Sequence, residues 1–597
     1  MQYSRPLSVR TVLLAGTFFI SATVGSMPMC WAQLSPQFQQ TIQQQPGAVI
    51  QHLDDNMTGK PNKITPSELD STIKDTPKTP AIKNDIPQPR LDDSLKRKLM
   101  INTIQVEGYK VLTEQEVQSI IKPYEHKESS FIELQENVAD KLTALYEKKG
   151  YITSLAFIPP QTIDGGVIKI KVDEGRICKV SLENSRWFKP IAVTPRMSLK
   201  VGEPFNVKPL QTSLRRLNEN PDLVLQATLK AGPNSGDTEI VLTPRRESFF
   251  AHVTPFIDNL GRPVIGNTRY GVTMSDNNVT GLGDTAFSSN YWTKHSFGTI
   301  NGYELPLGSH GTKLGFANAH TQFGFRQQGF KLNGNSNINT PYLHQELFRS
   351  EKMILSTELG LAIKNSDFQI DKTLISQDKL RVLTSALNMQ TFDRWGRTSM
   401  RHELGFGLNM VNATEKDSAL ATRPGTSGKF FRYTASFSRL QKLPFGTYGI
   451  LKMQGQATPD RLFSLEQMQI GGAASVRGYQ EGRLIGDKGF MASAEWRIPL
   501  KFLPETMKLG RYKLNKNLEL VTFFDAGGVF DNHASSGVNS QSGRRQPHGY
   551  LMGTGIGLRA ALTRFLAARI DVGFPLIKQQ PDRDSARVHF GVESRLF

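Results

Sequence analysis

The feature that most constrains this chain is the pattern of residues 250–597, which make up more than half of its 597 residues. Runs of about ten residues alternate apolar and polar side chains and are separated by clusters of Gly, Asn, Asp and Ser. This alternation is typical of a transmembrane antiparallel β-barrel, in which one face of each strand meets lipid and the other lines a polar lumen. At roughly 22 residues per strand with its connection, the region predicts about sixteen strands.

Three runs are regular enough to assign faces. In residues 518–527 the side chains predicted to face the lumen are Glu519, Val521, Phe523 and Asp525. Residues 551–559 and 566–574 likewise set glycines and charged residues against larger apolar ones. A soluble sandwich or solenoid also has alternating strands. It does not account for charged residues opposite such apolar faces, or for the length of the all-β region.

The first 32 residues are typical of a cleaved secretory signal peptide. Arg5 and Arg10 precede an apolar run over residues 11–24, and small residues end at Ala32. A lipoprotein anchor at Cys30 is the alternative, although Pro28 and Met29 before it are a poor context for lipidation. Beyond this segment the sequence has no run of 18 or more apolar residues, so a membrane role must use strands.

Cysteine usage and charge exclude several classes of site. After cleavage of the signal peptide Cys178 is the remaining cysteine, which excludes an internal disulfide and a multi-thiolate metal site. The formal net charge is +18, but no basic run is interleaved with aromatics, so we expect no nucleic-acid partner. Basic side chains that line the lumen or contact the headgroups of outer-membrane lipid and lipopolysaccharide explain the charge better. A soluble adhesin could carry the same charge. No metal and no cofactor are expected.

Two segments precede the first folded unit. Residues 33–53 predict a short polar helix, which starts at Ser35-Pro36 and stops at Pro46-Gly47. Residues 54–97 are rich in Lys, Pro, Asp and Thr and lack an apolar face, which predicts a disordered linker. The helix is therefore expected to be tethered rather than packed in a domain.

Two small α/β units are predicted between the linker and the barrel. Residues 98–176 read as strand, helix, helix, strand, strand, and the first helix opens with the capping box Thr113 to Glu116. Residues 177–247 repeat much of that order, with a helix through Leu210, Leu214 and Leu217. The barrel region is then residues 248–597.

One connection in the barrel stands out. It joins strand-like runs at residues 448–457 and 489–498, is about thirty residues long and contains Val476, Arg477, Gly478 and Tyr479. Long loops are often functional. Arg477 is a rigid fork of donors that suits a carboxylate in a restricted lumen, and Asp525 is a candidate partner. The alternative is a solvated arginine on an exposed loop, since a lumen offers many carboxylates.

These features together resemble a known family. The tandem α/β units are similar to POTRA domains, Val476-Arg477-Gly478-Tyr479 matches the VRGY motif of the sixth extracellular loop, and the run from Phe523 to Gly527 matches the F-x-D-x-G strand motif. With the leading helix and linker, the chain resembles the two-partner secretion transporters of the TpsB type, such as FhaC, ShlB and HecB. The loop motif alone is shared with the wider superfamily of barrel-assembly insertases.

The resemblance implies a location, a mechanism and partners. It implies an outer-membrane protein of a Gram-negative bacterium, a monomer with POTRA domains in the periplasm, assembled with help from the barrel-assembly machinery. The POTRA domains would capture an unfolded secreted exoprotein, plausibly by strand addition to an open sheet edge. The helix at residues 33–53 would plug the barrel at rest, and Arg477 held by Asp525 would fix the shape of the conduit. No catalytic residue and no nucleotide are implied.

Three rival functions are considered. A barrel enzyme is disfavoured because the sequence has no G-x-S-x-G elbow and no H-E-x-x-H pair. An assembly insertase of the same superfamily is the main alternative, although such relatives generally carry more POTRA units and lack the plug helix. A diffusion porin has no reason to carry capture domains. The cargo stays open: an adhesin, a haemolysin and a contact-dependent toxin all fit. The terminal Phe597 is out of register with the apolar face of the last strand, so its role as an assembly signal stays open too.

Overall fold

The computed structural model describes residues 82–84 and 98–594, except residues 164, 250, 328, 510–511, 533–547, 564 and 579–583. The predicted signal peptide, the predicted plug helix, most of the predicted linker and Phe597 lie outside these residues. Strand β1, Ile82–Asn84, falls within the predicted linker and pairs with the second α/β unit.

The first α/β unit packs helices on one side of a three-stranded sheet. Its elements are β2 Lys98–Ile101, β3 Thr103–Glu107, α1 Glu114–Ile121, a 3₁₀ turn Lys122–Tyr124, β4 Lys127–Ser130, α2 Phe131–Leu134, α3 Asp140–Lys149, β5 Leu155–Phe157 and β6 Val167–Asp173. Helices α1 and α2 both begin with capping boxes, Thr113 with Glu116 and Ser130 with Glu133. A π-helical turn, Gln135–Ala139, joins α2 to α3.

Strand order explains how this unit closes its core. In the sheet β3-β6-β5, β3 runs parallel to β6 and β5 runs antiparallel to it, while β2 and β4 form a separate pair. Helix side chains such as Val138, Leu142 and Tyr146 are fully buried against Ile168 and Ile170 of β6. The sequence prediction missed β2 and β4 because neither segment has a clear alternation.

Truncation of this core is expected to unfold the unit locally. Leu142→Ala removes a fully buried side chain, and such changes cost about 2–5 kcal/mol of unfolding free energy. The measurement is the urea concentration at which residues 98–176 become sensitive to protease in the intact chain. Lys148→Ala, at an exposed position of the same helix, is the matched control. Equal protease midpoints for the two variants would contradict the prediction.

The second α/β unit repeats the same sheet topology. Its elements are β7 Arg176–Leu182, α4 Pro190–Val193, a 3₁₀ turn Thr194–Arg196, α5 Val207–Leu217, β8 Leu223–Ala231 and β9 Asp237–Glu247. The sheet order is β1-β8-β9-β7, with β7 parallel to β9 and β8 antiparallel to it. Strand β8 therefore corresponds to β5 of the first unit, and β1 lies parallel along its outer edge, with Ile82 opposite Ala227 and Asn84 opposite Leu229.

The described residues from Ala251 onward form a closed barrel of sixteen antiparallel strands, which confirms the predicted fold class. Each barrel strand pairs with the next, and the last pairs with the first through Ile257 opposite Val592. The strands are β10 Ala251–Asp258, β11 Arg269–Asp276, β12 Thr285–Trp292, β13 Ser296–Leu307, β14 Thr312–Gln327, β15 Phe330–Arg349, β16 Met353–Ile370, β17 Thr373–Asp393, β18 Gly396–Gly407, β19 Phe431–Lys442, β20 Tyr448–Ala457, β23 Lys488–Pro499, β26 Leu518–Phe530, β27 His548–Ala561, β28 Leu566–Pro575 and β29 Arg587–Ser594.

Short elements lie in the connections of the barrel: a 3₁₀ turn Pro444–Gly446, a 3₁₀ turn Ser464–Glu466, β21 Met468–Ile470, β22 Leu484–Gly486, β24 Lys508–Leu509, β25 Tyr512–Lys513 and α6 Leu514–Asn517. The strand faces follow the alternation of the sequence. In β26 the side chains of Glu519, Val521, Phe523 and Asp525 are buried on the lumen side, and Phe524 is exposed on the other. Among the residues described, no helix combines the length and apolar character that crossing a bilayer requires.

The second α/β unit is docked on one end of the barrel by polar contacts. The Asp222 carboxylate accepts a hydrogen bond from the Asn277 amide at 2.8 Å and lies 2.9 Å from Nε2 of His252. Arg349 at the end of β15 pairs with Glu219 at 2.5 Å, and Arg216 of α5 pairs with Glu346. These contacts fix the orientation of the second unit against the turns of the barrel.

Candidate functional site in the barrel lumen

The long loop between β20 and β23, residues 458–487, folds back into the barrel. Strands β21 and β22 pair within it as a small hairpin, with Gln469 opposite Ile485. The tip of the loop, residues 471–479, carries the predicted motif, and its Val476, Arg477 and Tyr479 are each at most 3% exposed. The loop is therefore packed inside the protein and is not a solvated surface segment.

Arg477 is paired with Asp525 of β26 in a bidentate arrangement. Its Nε donates to Oδ2 at 2.8 Å and its Nη2 donates to Oδ1 at 2.9 Å. The backbone N–H of Arg477 also donates to Oδ2, at 3.0 Å. A fork of parallel N–H donors on a carboxylate is both strong and directional. The pair joins the loop tip directly to the barrel wall.

Two residues of β23 complete the environment of the guanidinium. Nη1 of Arg477 donates to Oε1 of Glu495 at 2.7 Å, and Nη2 lies 3.2 Å from the hydroxyl of Ser493. Glu495 also accepts from Arg497, at 2.8 Å. Glu495 and Ser493 were not among the residues predicted from the sequence, although the alternation of β23 assigns both to the lumen.

Phe523 and Gly527 of the strand motif flank the same pair. The guanidinium carbon of Arg477 lies 3.5 Å from the centroid of the Phe523 ring, which is a close cation–π contact. A Cβ added at Gly527 would lie 2.9 Å from the carbonyl oxygen of Phe490 and 3.4 Å from a methyl of Val476. The strand motif therefore supplies a carboxylate, an aromatic face and a close approach for the loop.

Gly478 allows the tip to turn against the barrel wall. Its φ of +96° is disfavoured for other residues, and an added Cβ would lie 2.9 Å from the backbone nitrogen of Pro575. On the facing strands, a Cβ at Gly553 would overlap the carbonyl oxygen of Arg477, and one at Gly573 would overlap the backbone nitrogen of Gly478. Three glycines thus seat the tip against β27 and β28.

Val476 and Tyr479 anchor the tip by packing and hydrogen bonding. Val476 belongs to a buried cluster with Ile470, Val529 and Leu551. The Tyr479 hydroxyl lies 2.8 Å from the carbonyl oxygen of Met552 and accepts from the backbone N–H of Ile577 at 3.1 Å. All four motif residues are therefore in contact with the wall.

The groups of this site hold the loop in place against the barrel wall. They form ion pairs and hydrogen bonds with one another, and Arg477 and Asp525 are almost fully buried. Over the described ranges, no group of three or more His, Cys, Asp or Glu is arranged to hold a metal ion. The arrangement can hold a loop in a defined position in the lumen.

Comparison with curated proteins finds transporters of the outer membrane. The chain is 24% identical over 443 residues to the outer membrane transporter CdiB of Dickeya dadantii, covering 72% of this chain and 75% of that protein. It is 25% identical over 396 residues to the heme/hemopexin transporter protein HuxB of Haemophilus influenzae, covering 64% and 69%.

Solved structures share the fold. CdiB from Escherichia coli matches with a TM-score of 0.66 at 20% identity, covering 94% of this chain and 99% of that one. CdiB from Acinetobacter baumannii matches with a TM-score of 0.59 at 18% identity, covering 92% and 98%.

Two family models match the chain directly. The model for a ShlB-type POTRA domain matches residues 99–175. The model described as haemolysin secretion/activation protein ShlB/FhaC/HecB matches residues 236–560, more than half of the chain. The chain therefore belongs to the ShlB/FhaC/HecB family of haemolysin secretion/activation proteins, and it is an outer-membrane transporter of a secreted partner protein with its POTRA units in the periplasm.

Proposed function

We propose that this transporter captures its partner unfolded in the periplasm, by strand addition to the POTRA sheets, and passes it through a barrel whose shape is set by the lumenal loop. The bidentate pair of Arg477 with Asp525 is the observation that carries the second part, because it joins the loop tip to the wall at a buried position. The hydrogen bonding at the β5 edge of the first sheet and at the β8 edge of the second supports the first part. An extended chain pairs with a sheet edge through its backbone, with little dependence on its side chains.

In the first unit, backbone N–H groups along the outer edge of β5 donate hydrogen bonds to side chains and not to a neighbouring strand. The Ala156 N–H donates to the Thr143 hydroxyl at 3.0 Å, and the Ile158 N–H donates to Oε1 of Gln135 at 3.3 Å. Gln135 lies in the π-helical turn, a type of distortion that is frequent at functional sites. Side-chain hydrogen bonds of this kind can be exchanged for the backbone of an arriving strand.

In the second unit the corresponding edge already carries an added strand. Strand β1 pairs in parallel with β8, and Lys83 lies opposite Thr228. An edge that accepts a three-residue segment of its own chain has the geometry that strand addition by a partner requires.

Capture at the β5 edge is tested by site-specific photocrosslinking. A photoreactive amino acid replaces Phe157 of β5, or Gln105 of β3 at the opposite edge of the same sheet, in cells that coexpress a candidate secreted partner protein. We expect crosslinks to the partner from position 157 and few from position 105. Equal crosslinking from the two edges, or none from position 157, would exclude capture at this edge.

Transport by this route needs no nucleotide. The sequence contains no G-x-x-x-x-G-K-[ST] phosphate-binding loop, and the periplasm has no ATP. Folding of the partner outside the cell then supplies the direction of movement, because a folded chain cannot return through the conduit.

A further inference from the structure

The lumenal loop makes a second set of buried ion pairs, separate from those of Arg477. Glu466, in the short 3₁₀ turn of the first arm of the loop (residues 458–467), is fully buried. Its Oε1 lies 2.6 Å from Nζ of Lys364 on β16, and its Oε2 lies 2.5 Å from Nη1 of Arg432 on β19. One loop carboxylate therefore bridges two cations on the barrel wall.

The wall continues this network with charges of alternating sign. Arg432 pairs with Glu403 of β18 at 3.0 Å, Glu403 pairs with Arg401 at 2.8 Å, and Arg401 pairs with Glu358 of β16 at 3.2 Å. Arg432 is thus held in position by the wall itself. A pre-positioned buried partner loses little side-chain entropy when the loop docks.

The first arm and the loop tip (residues 471–479) also pack on different parts of the wall. Leu462, Phe463 and Leu465 beside Glu466 are buried against Leu380 and Val382 of β17. Around Arg477, the apolar contacts are to Val529 of β26 and Leu551 of β27. Each ion pair is therefore accompanied by an apolar cluster of its own.

We infer that Glu466 is a second anchor of the lumenal loop, a positioning residue that holds the first arm against β16, β17 and β19 independently of Arg477. Glu466 and Arg477 then attach different parts of the loop to the barrel wall, and either attachment can open while the other stays closed. This consequence rests on the proposed function: the loop can yield to the passing partner in two separate steps. Breaking the Glu466 ion pairs moves the first arm away from β16–β19, while Arg477 still holds the tip on the wall.

Two buried serines allow the first arm and the loop tip to be observed separately. Ser464 and Ser475 each lie two residues before their anchor, and they are 6% and 2% exposed. The substitutions Ser464→Cys and Ser475→Cys are made one at a time in the full-length transporter that also carries Cys178→Ser, and the rate of labelling with a small maleimide is measured in outer-membrane vesicles. The measurement needs no partner, so it tests the anchor even if the proposed function fails.

The expected result is a crossed pattern of labelling rates. Glu466→Gln leaves Lys364 without its buried counter-charge and Arg432 with Glu403 alone, so the thiol introduced at position 464 should label at least about tenfold faster while the thiol at position 475 stays protected. Arg477→Ala should expose the thiol at position 475 and leave the one at position 464 protected. If either substitution exposes both thiols equally, the loop moves as one body and the inference is wrong.

Two further variants separate anchoring from general destabilisation. Glu304→Gln removes a buried carboxylate of the wall strand β13 that pairs with Lys313, and we expect no change in the labelling rate at position 464. If Glu466→Gln does not assemble, the double variant Glu466→Gln with Lys364→Met removes one charge of each sign and leaves Arg432 paired with Glu403. A labelling rate at position 464 in that variant equal to the rate with Glu466 and Lys364 intact would overturn the role of Glu466.

Discussion

Arg477→Ala is expected to stop secretion of the partner while leaving a heat-modifiable barrel in the outer membrane. The substitution strands the fully buried Asp525 and removes the hydrogen bonds to Glu495 and Ser493. Loss of one member of a buried pair costs about 3–5 kcal/mol, which lowers the seated population of the loop tip at least about a hundredfold. The barrel survives because its strand pairing does not depend on the loop.

The measurement is the amount of partner in the culture medium, with electrophoretic mobility before and after heating as the control for barrel assembly. Arg477→Lys keeps the charge but loses the planar fork, so we expect partial secretion. Normal secretion by Arg477→Ala would remove this residue from the mechanism.

The contact itself is tested by exchanging the two charges. Arg477→Asp combined with Asp525→Arg should secrete more partner than either single variant, because a pair of opposite charges is restored. Recovery should be incomplete, since Glu495 would then face a carboxylate and the cation–π contact with Phe523 is lost. A cycle without coupling would refute the functional importance of the contact.

The barrel was predictable from the sequence because its signal, the alternation of apolar and polar side chains, lies within each strand. Each strand of a transmembrane barrel alternates between lipid and lumen, so the pattern appears within single runs, as in Glu519, Val521, Phe523 and Asp525 of β26. The POTRA helices were predictable for the same reason, through capping boxes such as Thr113 with Glu116. Short strands such as β4 escaped prediction because four residues hold too little pattern.

The candidate site was only partly predictable, because its partners are brought together by the path of the loop. The motif suggested Arg477 and Asp525, and alternation assigns Glu495 to the lumen, but no local signal says that β23 lies under the loop tip. Glu466 was even less predictable from the sequence than Glu495. Its contacts with Lys364 and Arg432 span long stretches of chain, and a glutamate in a polar loop is ordinarily solvated.

Gly553→Ala is expected to abolish secretion as fully as Arg477→Ala, although it adds one methyl group and changes no charge. The added Cβ would overlap the carbonyl oxygen of Arg477, which is backbone and cannot rotate away. The loop tip must therefore rise from β27, and its fork then loses the alignment with Asp525. Loss of secretion with a normally assembled barrel is the expected readout.

Gly455→Ala is the matched control, because Gly455 is also a barrel-strand glycine and an added Cβ would meet only the carbonyl oxygen of Gly489, at 3.8 Å. It should secrete at the unsubstituted level. Since Gly553→Ala leaves both Arg477 and Asp525 in the chain, its failure to secrete would show that their alignment matters and not their charges alone. Normal secretion by Gly553→Ala, with the loop tip still protected from protease, would mean that the wall yields to the methyl group and that close seating of the tip is not required for transport.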